Sequence, residues 1–316
     1  MKIVYYLLIA VTFTLIGWLA NTAYHLPKTP INPISQIKPR PLEKYSIENL
    51  AKTEFKPSGI TIEAEHLFSI KVDGKKVTGS INVPAGEGPF PLIIMFRGYV
   101  DQKTYQTGDG TKRAGEYFAE NGFMTIAPDF LGYGGSDKES ENIFESRFQT
   151  YTTALSLLAS VDSLEKWDKT NLFIWGHSNG GQIALTVLEI TQKDYPTVLW
   201  APVSKPFPYS ILYYTDESDD KGKLIRRELA KFEEDYDVEK YSLVNYLDRI
   251  KAPIQLHQGT NDDAVPVSWS NALSKSLLDL GLKIDYLRYS GADHNLNPSW
   301  NQVIANSLTF FKKHLK

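Results

Sequence analysis

The feature that most limits how this chain can fold is a glycine-rich junction between an apolar strand and a helix. Residues 172–175 form a short apolar run that leads directly into Gly-His-Ser-Asn-Gly-Gly at 176–181, and a helical pattern then continues to about Glu189. Glycines let a strand and a helix approach closely, so the serine between them can stand on a sharp, strained turn with an exposed hydroxyl. The junction predicts that Ser178 is a nucleophile.

Apolar runs alternate with helical patterns along most of the chain. The runs predicted to be strands lie at 91–96, 123–127, 172–175, 198–200, 254–257 and 284–289. This alternation is typical of an α/β fold with a mostly parallel central sheet and helices on both faces. Ahead of these runs, residues 62–72 and 75–83 are predicted to be two strands joined at Asp73-Gly74, a hairpin turn signal.

A long segment rich in tyrosine and charge, residues 202–248, separates two of the predicted strands. Long insertions between core elements are often lids, so we expect a mostly helical cap that overhangs the site. The alternative is a surface excursion without function. Residues 59–316 are assigned to the catalytic domain that carries this cap.

The N-terminal part of the chain has a different character. No charged residue occurs from 3 to 26, and a membrane-spanning helix needs roughly 20 mostly apolar residues. We expect residues 1–26 to be an uncleaved membrane anchor that leaves the catalytic domain outside the cytoplasm. The alternative is a signal segment that is cleaved, with secretion of the rest. Residues 27–58 are rich in proline and are expected to form a tether, with a short helix at 47–55 packed on the body.

A serine hydroxyl needs a neighbouring base, because the free group is a poor nucleophile. His294 lies after the last predicted strand and before the last helix, where such a base is expected. Asp262 and Asp263 follow the strand at 254–257, and we choose Asp262 as the acid that orients the histidine. Carboxyl ends of parallel strands share one edge of a sheet, so Ser178, Asp262 and His294 are predicted to meet there.

The developing oxyanion needs two donors that point at one position. We expect one to be the backbone N–H of Asn179 and the other to come from Tyr99, in the loop after the first buried strand. Arg97 in the same loop either pairs with an acidic residue or contacts the substrate. Tyr213 and Tyr214 in the cap either line a substrate pocket or pack the cap on the body.

Composition excludes several classes of site and partner. The chain contains no cysteine, which rules out a thiol nucleophile, disulfides and thiolate zinc sites. The formal net charge of −3 argues against a nucleic-acid partner. No histidine–carboxylate set has metal-ligand spacing, and acyl transfer by a serine needs no cofactor. Nothing in the sequence indicates an oligomeric state.

From about residue 60 onward the chain resembles the catalytic domain of the prolyl oligopeptidase family of serine peptidases, and more loosely the dienelactone-hydrolase-type enzymes. The resemblance rests on Gly-His-Ser-Asn-Gly-Gly at 176–181, His-Gln-Gly-Thr-Asn-Asp-Asp-Ala-Val-Pro at 257–266 and Gly-Ala-Asp-His at 291–294. It implies an α/β-hydrolase fold, the triad named above, and a Tyr99 hydroxyl that helps bind the oxyanion. Family peptidases commonly carry a β-propeller, which about 60 preceding residues cannot build.

These inferences lead to a serine hydrolase that works in two acyl-transfer steps on a short peptide or a small ester. By resemblance the first expectation is a prolyl-oligopeptidase-like peptidase. A carboxylesterase for small esters is the first alternative, because the same triad serves both reactions. A catalytically idle binding protein on the hydrolase fold is the second alternative.

Overall fold

The computed structural model describes residues 39–215 and 218–316. The expected membrane anchor at 1–26 and most of the expected tether lie outside these residues. Within the described ranges, no helix combines the length and apolar character that crossing a bilayer requires. The compact unit that carries the sheet begins at Pro41. The boundary between tether and catalytic domain was expected at residue 59, and the contacts of the residues from 41 onward are described below.

The described residues form one sheet of nine strands in the order β1-β2-β3-β5-β4-β6-β7-β8-β9. The strands are β1 (Thr61–Ala64), β2 (Leu67–Val72), β3 (Lys75–Asn82), β4 (Phe90–Phe96), β5 (Met124–Pro128), β6 (Trp167–His177), β7 (Thr197–Trp200), β8 (Ile254–Gly259) and β9 (Ile284–Tyr289). The first three pair antiparallel, β3 pairs antiparallel with β5, and all other neighbours are parallel. The predicted mostly parallel sheet is confirmed.

Helices cover both faces of this sheet. They are α1 (Ile47–Lys52), α2 (Lys112–Glu120), α3 (Ile143–Ser160), α4 (Asn179–Thr191), α5 (Tyr209–Leu212), α6 (Lys223–Asp235), α7 (Val267–Asp279) and α8 (Trp300–Lys313). Along β4, Leu92 and Ile94 join the core that contains residues of α3 and α4, whereas Ile93 and Met95 join the core of α2 and α8. Successive strand residues point to opposite faces, so a strand covered on both sides is apolar throughout.

The predicted hairpin is confirmed, with one change. Asp73 and Gly74 have φ values of 48° and 80°, as a two-residue turn with two left-handed positions requires. The single strand expected at 62–72 is two strands, because the chain turns at Glu65-His66 and β1 folds back on β2.

The segment between β7 and β8 is mostly helical, as expected for residues 202–248. Its described residues include α5, α6 and the short 3-10 helices Val238–Tyr241, Leu243–Asn245 and Leu247–Arg249. Phe232 of α6 packs its ring against Phe144 and Phe148 of α3, at centroid distances of 5.2 and 6.1 Å. Phe207 packs on the same two rings. This aromatic contact fixes the insertion on one face of the body.

The N-terminal segment from residue 41 packs on the body, and it contains the short helix expected at 47–55. Ser46 begins α1 by accepting a hydrogen bond from Asn49 N. The helix buries Ile47 and Leu50 and packs against α4. Leu42 donates its N–H to Tyr236 Oη at 3.1 Å. The prolines that suggested an extended tether precede or follow this helix, and they do not interrupt it.

Candidate active site

Ser178 occupies the sharp turn between β6 and α4. Its φ of 56° and ψ of −121° are rare for a residue with a side chain. Two backbone bonds hold the turn: Ser178 N donates to Trp200 O at 2.9 Å, and Val203 N donates to Ser178 O at 3.0 Å. The strain is therefore balanced by the neighbouring strand β7 and the loop after it.

Gly176 and Gly180, on either side of Ser178, have no room for a side chain because main-chain atoms lie too close to them. A Cβ on Gly180 would run into the backbone carbonyl of Phe96 at the end of β4. A Cβ on Gly176 would lie 2.5 Å from the carbonyl oxygen of Gly180. Because both obstacles are main-chain atoms, neither can move aside as a flexible side chain would. Strand β6, helix α4 and strand β4 meet here more closely than side chains allow.

His294 and Asp262 are hydrogen-bonded, as the sequence predicted. His294 lies in the loop between β9 and α8, and its Nδ1 is 3.0 Å from each carboxylate oxygen of Asp262. The side chain of Asp262 is fully buried and that of His294 is 18% exposed. The carboxylate therefore faces only the protein, while the imidazole reaches the cavity described below.

Three further donors hold the Asp262 carboxylate. Ala264 N and Val265 N donate to Oδ1 at 3.0 and 2.8 Å, and Gln258 Nε2 donates to Oδ2 at 2.8 Å. Burial alone would raise the pKa of Asp262, but the bonds from His294, Val265 and Gln258 outweigh it and hold the pKa below its usual value. The group therefore stays a carboxylate over the physiological pH range.

Ser178 and His294 open into one cavity of about 610 Å³. Asn179 and Tyr99, the two expected oxyanion donors, line the same cavity. Asn179 is the first residue of α4, so its N–H lies at a helix N-terminus, where negative charge is stabilised. The Tyr99 side chain is 77% exposed. Among the described residues Ser178 Oγ has no hydrogen-bond partner, and unliganded sites often lack the contact to the base.

Arg97 does not reach this cavity. Its guanidinium is buried and donates to the carbonyls of Gly98 and Asp129, each at 2.9 Å. It also lies over the rings of Tyr105 and Tyr133, 4.5 and 4.0 Å from the centroids. The expected contact with substrate, or with an acidic side chain, is replaced by backbone carbonyls and aromatic faces. Arg97 supports the loop that carries Tyr99.

The two cap tyrosines differ in position. Tyr214 lines the cavity and donates its hydroxyl to Ala264 O at 3.2 Å, which ties the insertion to the loop of Asp262. Tyr213 is not among the residues that line this cavity, and its ring packs on Trp269 at 4.8 Å. Tyr214 therefore lines the pocket, which was one expectation, whereas Tyr213 packs the cap on the body, which was the other.

Comparison with known proteins agrees with this arrangement. The model of the prolyl oligopeptidase family matches residues 112–316. The chain belongs to the prolyl oligopeptidase family. It is therefore a serine hydrolase on the α/β-hydrolase fold, and the resemblance drawn from the sequence is confirmed.

Relatives of this family member include peptidases and esterases. An uncharacterized peptidase, YtmA of Bacillus subtilis (strain 168), is 27% identical over 249 residues, which cover 77% of this chain and 90% of the relative. The acetyl esterase Axe7A of Xylanibacter ruminicola is 23% identical over 234 residues, 65% of this chain and 50% of the relative. The structure of a Mycobacterium tuberculosis puromycin-hydrolyzing peptidase aligns with a TM-score of 0.58 and 20% identity, over 78% of this chain and 39% of that one.

Two residues that support the site, His177 and Arg147, were not predicted from the sequence. His177 Nε2 lies 3.0 Å from His294 O, and burial, followed by the nearby His294, lowers the pKa of His177 to about 4. His177 is therefore neutral at pH 7, and its contact with His294 O stabilises the loop that carries the proposed base. Arg147 on α3 lines the cavity beside Asn179. The position of His177 next to Ser178 could have indicated its supporting role from the sequence. No local pattern in the sequence indicated a role for Arg147.

Proposed function

We propose that this serine hydrolase cleaves peptide or amide bonds in short peptides through Ser178, His294 and Asp262. The observation that carries the proposal is the buried Asp262 carboxylate bonded to His294 Nδ1, beside a cavity that His294 shares with Ser178. A histidine held in this way keeps Nε2 free to accept a proton. The relative named as a peptidase, matched over 90% of its length, supports a peptide substrate.

In the first step, His294 Nε2 takes the proton of Ser178 Oγ as that oxygen attacks the carbonyl carbon. The backbone N–H of Asn179 and a donor group of Tyr99 stabilise the negative charge that develops on the carbonyl oxygen. The imidazolium gives its proton to the leaving amine, and an acyl-enzyme forms. Water then attacks with the same proton transfers, which releases the carboxylic acid and restores the serine. Asp262 fixes the histidine tautomer throughout and stabilises the imidazolium.

A carboxylesterase for small esters is the second candidate, and the acetyl esterase among the relatives favours it. An alcohol leaves more readily than an amine, so the same residues would serve. A catalytically idle binding protein is the third candidate, and the complete set of hydrogen bonds around Asp262 argues against it.

The test uses the purified chain on 4-nitrophenyl acetate and on a panel of aminoacyl and prolyl 4-nitroanilides. Ser178→Ala should abolish turnover without changing the unfolding temperature, and Ser290→Ala, at an exposed site, serves as the matched control. Anilide turnover that vanishes in Ser178→Ala supports the peptidase, and ester turnover alone supports the carboxylesterase. Turnover that persists in Ser178→Ala rejects the triad.

We also propose that residues 1–26 anchor the chain in a membrane with the catalytic unit outside the cytoplasm. The support is the uncharged stretch from residue 3 to 26. Cell fractionation should place the full chain in membranes after a high-salt wash, and protease added to intact cells should remove the catalytic unit. A full-length chain in the soluble cytosolic fraction would reject the proposal.

A further inference from the structure

The cavity beside Ser178 carries a positive charge that the proposed chemistry does not use. Among the described residues that line it, Arg147 is the only permanently charged side chain, and no carboxylate lines it. The other polar lining groups are His294 and neutral hydroxyls and amides. A substrate that enters this cavity therefore meets the positive charge of Arg147 close to the nucleophile.

The partners of Arg147 among the described residues carry no charge. Nη2 donates to Gln182 Oε1 at 2.7 Å and to Asn179 Oδ1 at 3.3 Å, and both acceptors are neutral amides. Nε is buried and has no partner among the described residues. In the described part of the chain, no ion pair involves Arg147. Arg147 is partly buried, with its Nε fully enclosed, and an anion supplied by a ligand would give the guanidinium a charged partner.

The surrounding bonds fix where the guanidinium lies. Gln182 is buried, and its amide nitrogen donates to Tyr151 Oη at 3.0 Å, so its oxygen is turned toward Arg147. Asn179, the second acceptor, is the residue whose N–H is the proposed oxyanion donor. An anion bound to Arg147 would therefore lie close to the carbonyl group under attack.

A second unsatisfied group lines the same cavity. Ser210, at the second position of α5, is 1% exposed, and its Oγ has no partner among the described residues. Buried hydroxyls are nearly always hydrogen-bonded in folded proteins. Ser210 is thus a second position from which the insertion can donate to a bound ligand.

We infer that Arg147 binds a carboxylate of the substrate, so that the preferred substrates are esters or peptides with a carboxylate near the scissile bond. A guanidinium matches a carboxylate with two parallel hydrogen bonds, which gives orientation as well as affinity. This inference rests on the proposed function, because it assumes that Ser178 performs the attack. The carboxylate lies either in the acyl part or in the leaving group, and the experiment separates these two sources.

The experiment compares two matched pairs of chromogenic esters. For the acyl part, 4-nitrophenyl hydrogen adipate is compared with 4-nitrophenyl hexanoate. For the leaving group, 3-carboxy-4-nitrophenyl butyrate is compared with 4-nitrophenyl butyrate. The measured quantity is the ratio of kcat/KM for the acidic ester to kcat/KM for its neutral partner, with uncatalysed hydrolysis subtracted. This ratio does not depend on the fraction of a preparation that is folded.

We expect a ratio on the order of 10 to 100 for the unmodified chain in one of the two pairs, as hydrogen bonds to charged groups supply. In Arg147→Met the ratio should fall to about 1, and Arg147→Lys should keep part of it because the charge remains. Arg288→Met removes an exposed arginine of β9 and should keep the full ratio.

A ratio near 1 in both pairs for the unmodified chain would overturn the inference. So would a ratio that survives in Arg147→Met, or one that falls equally in Arg288→Met. If Arg147→Met does not fold, the unmodified chain and Arg147→Lys still decide the question. Persistence of turnover in Ser178→Ala would instead reject the proposed function, so the two failures are distinguishable.

Discussion

Replacing Asp262 by asparagine changes one atom of the proposed triad and keeps its shape. Two backbone N–H groups point at Oδ1, so the amide oxygen of the new side chain should take that place. Its NH₂ group then occupies the place of Oδ2, where it faces the donor Nε2 of Gln258. The NH₂ group also faces His294 Nδ1, and that nitrogen would have to accept a hydrogen bond rather than donate one.

The change therefore moves the proton of His294 from Nδ1 to Nε2. A protonated Nε2 cannot accept the proton of Ser178, and a wrong tautomer of this kind lowers kcat about 10⁴-fold in serine proteases. That factor corresponds to about 5 kcal/mol of activation free energy. The contact of two donors at Gln258 should also cost about 1–3 kcal/mol of unfolding free energy.

The assay measures kcat and kcat/KM on a 4-nitrophenyl ester, together with urea unfolding of the same samples. Asp263→Asn is the matched control, because Asp263 is the adjacent carboxylate and is exposed; its kcat should stay close to that of the unmodified chain. An Asp262→Asn variant that keeps kcat within about tenfold of the unmodified chain would contradict the proposed role of Asp262. A large loss in Asp263→Asn instead would assign the role to the neighbour.

Three further changes test packing and buried charge. Leu50→Ala should cost about 2–5 kcal/mol in urea unfolding, because Leu50 is buried; a loss under 1 kcal/mol would mean that α1 is not part of the core. Gly180→Ala should lower both the unfolding temperature and kcat, because the new Cβ meets the Phe96 carbonyl; unchanged values would contradict the packing described. Burial raises the pKa of Glu189 well above its usual value, although Arg249 offsets part of the effect. The folded chain then holds a proton that the unfolded chain releases near its ordinary pKa. Stability should fall as pH rises from about 5 to 8, by up to about 1.4 kcal/mol per unit. Glu189→Gln should remove that slope in urea titrations at pH 5 and 8, and an unchanged slope would point to other groups.

The parts of the fold that the sequence could predict depend on local patterns. The hairpin turn at Asp73-Gly74 and the glycines beside Ser178 are backbone requirements that few other residues meet. The central strands, such as β4, were found because they are covered on both faces and are largely apolar. The positions of Asp262 and His294 follow from the rule that loops at one edge of a parallel sheet meet.

Other features depend on contacts between distant parts of the chain. The buried place of Arg97 is set by Tyr105, Tyr133 and the carbonyl of Asp129, and none of these could be assigned to it from spacing. Arg147 stands in the polar part of a helical pattern, where an arginine is usually solvated. Its nearness to Asn179 depends on how α3 crosses α4.

The proline-rich segment 27–58 was expected to contain a short helix packed on the body, and α1 is that helix. Leu42, Tyr45, Ile47 and Leu50 are all buried, and Ile47 and Leu50 lie three residues apart on one face of α1. The helix packs on α4, and Leu42 ahead of it contacts the insertion. Tyr241 of the insertion donates its hydroxyl to Leu42 O at 3.1 Å.

Two tyrosines of the insertion thus form hydrogen bonds with the backbone of Leu42: Tyr236 accepts one from its N–H, and Tyr241 donates one to its carbonyl. The same insertion supplies Tyr214 and Ser210 to the wall of the cavity. The N-terminal segment therefore joins two parts of the site: through the insertion it reaches the wall of the cavity, and through α1 it packs on α4, whose first residue follows Ser178.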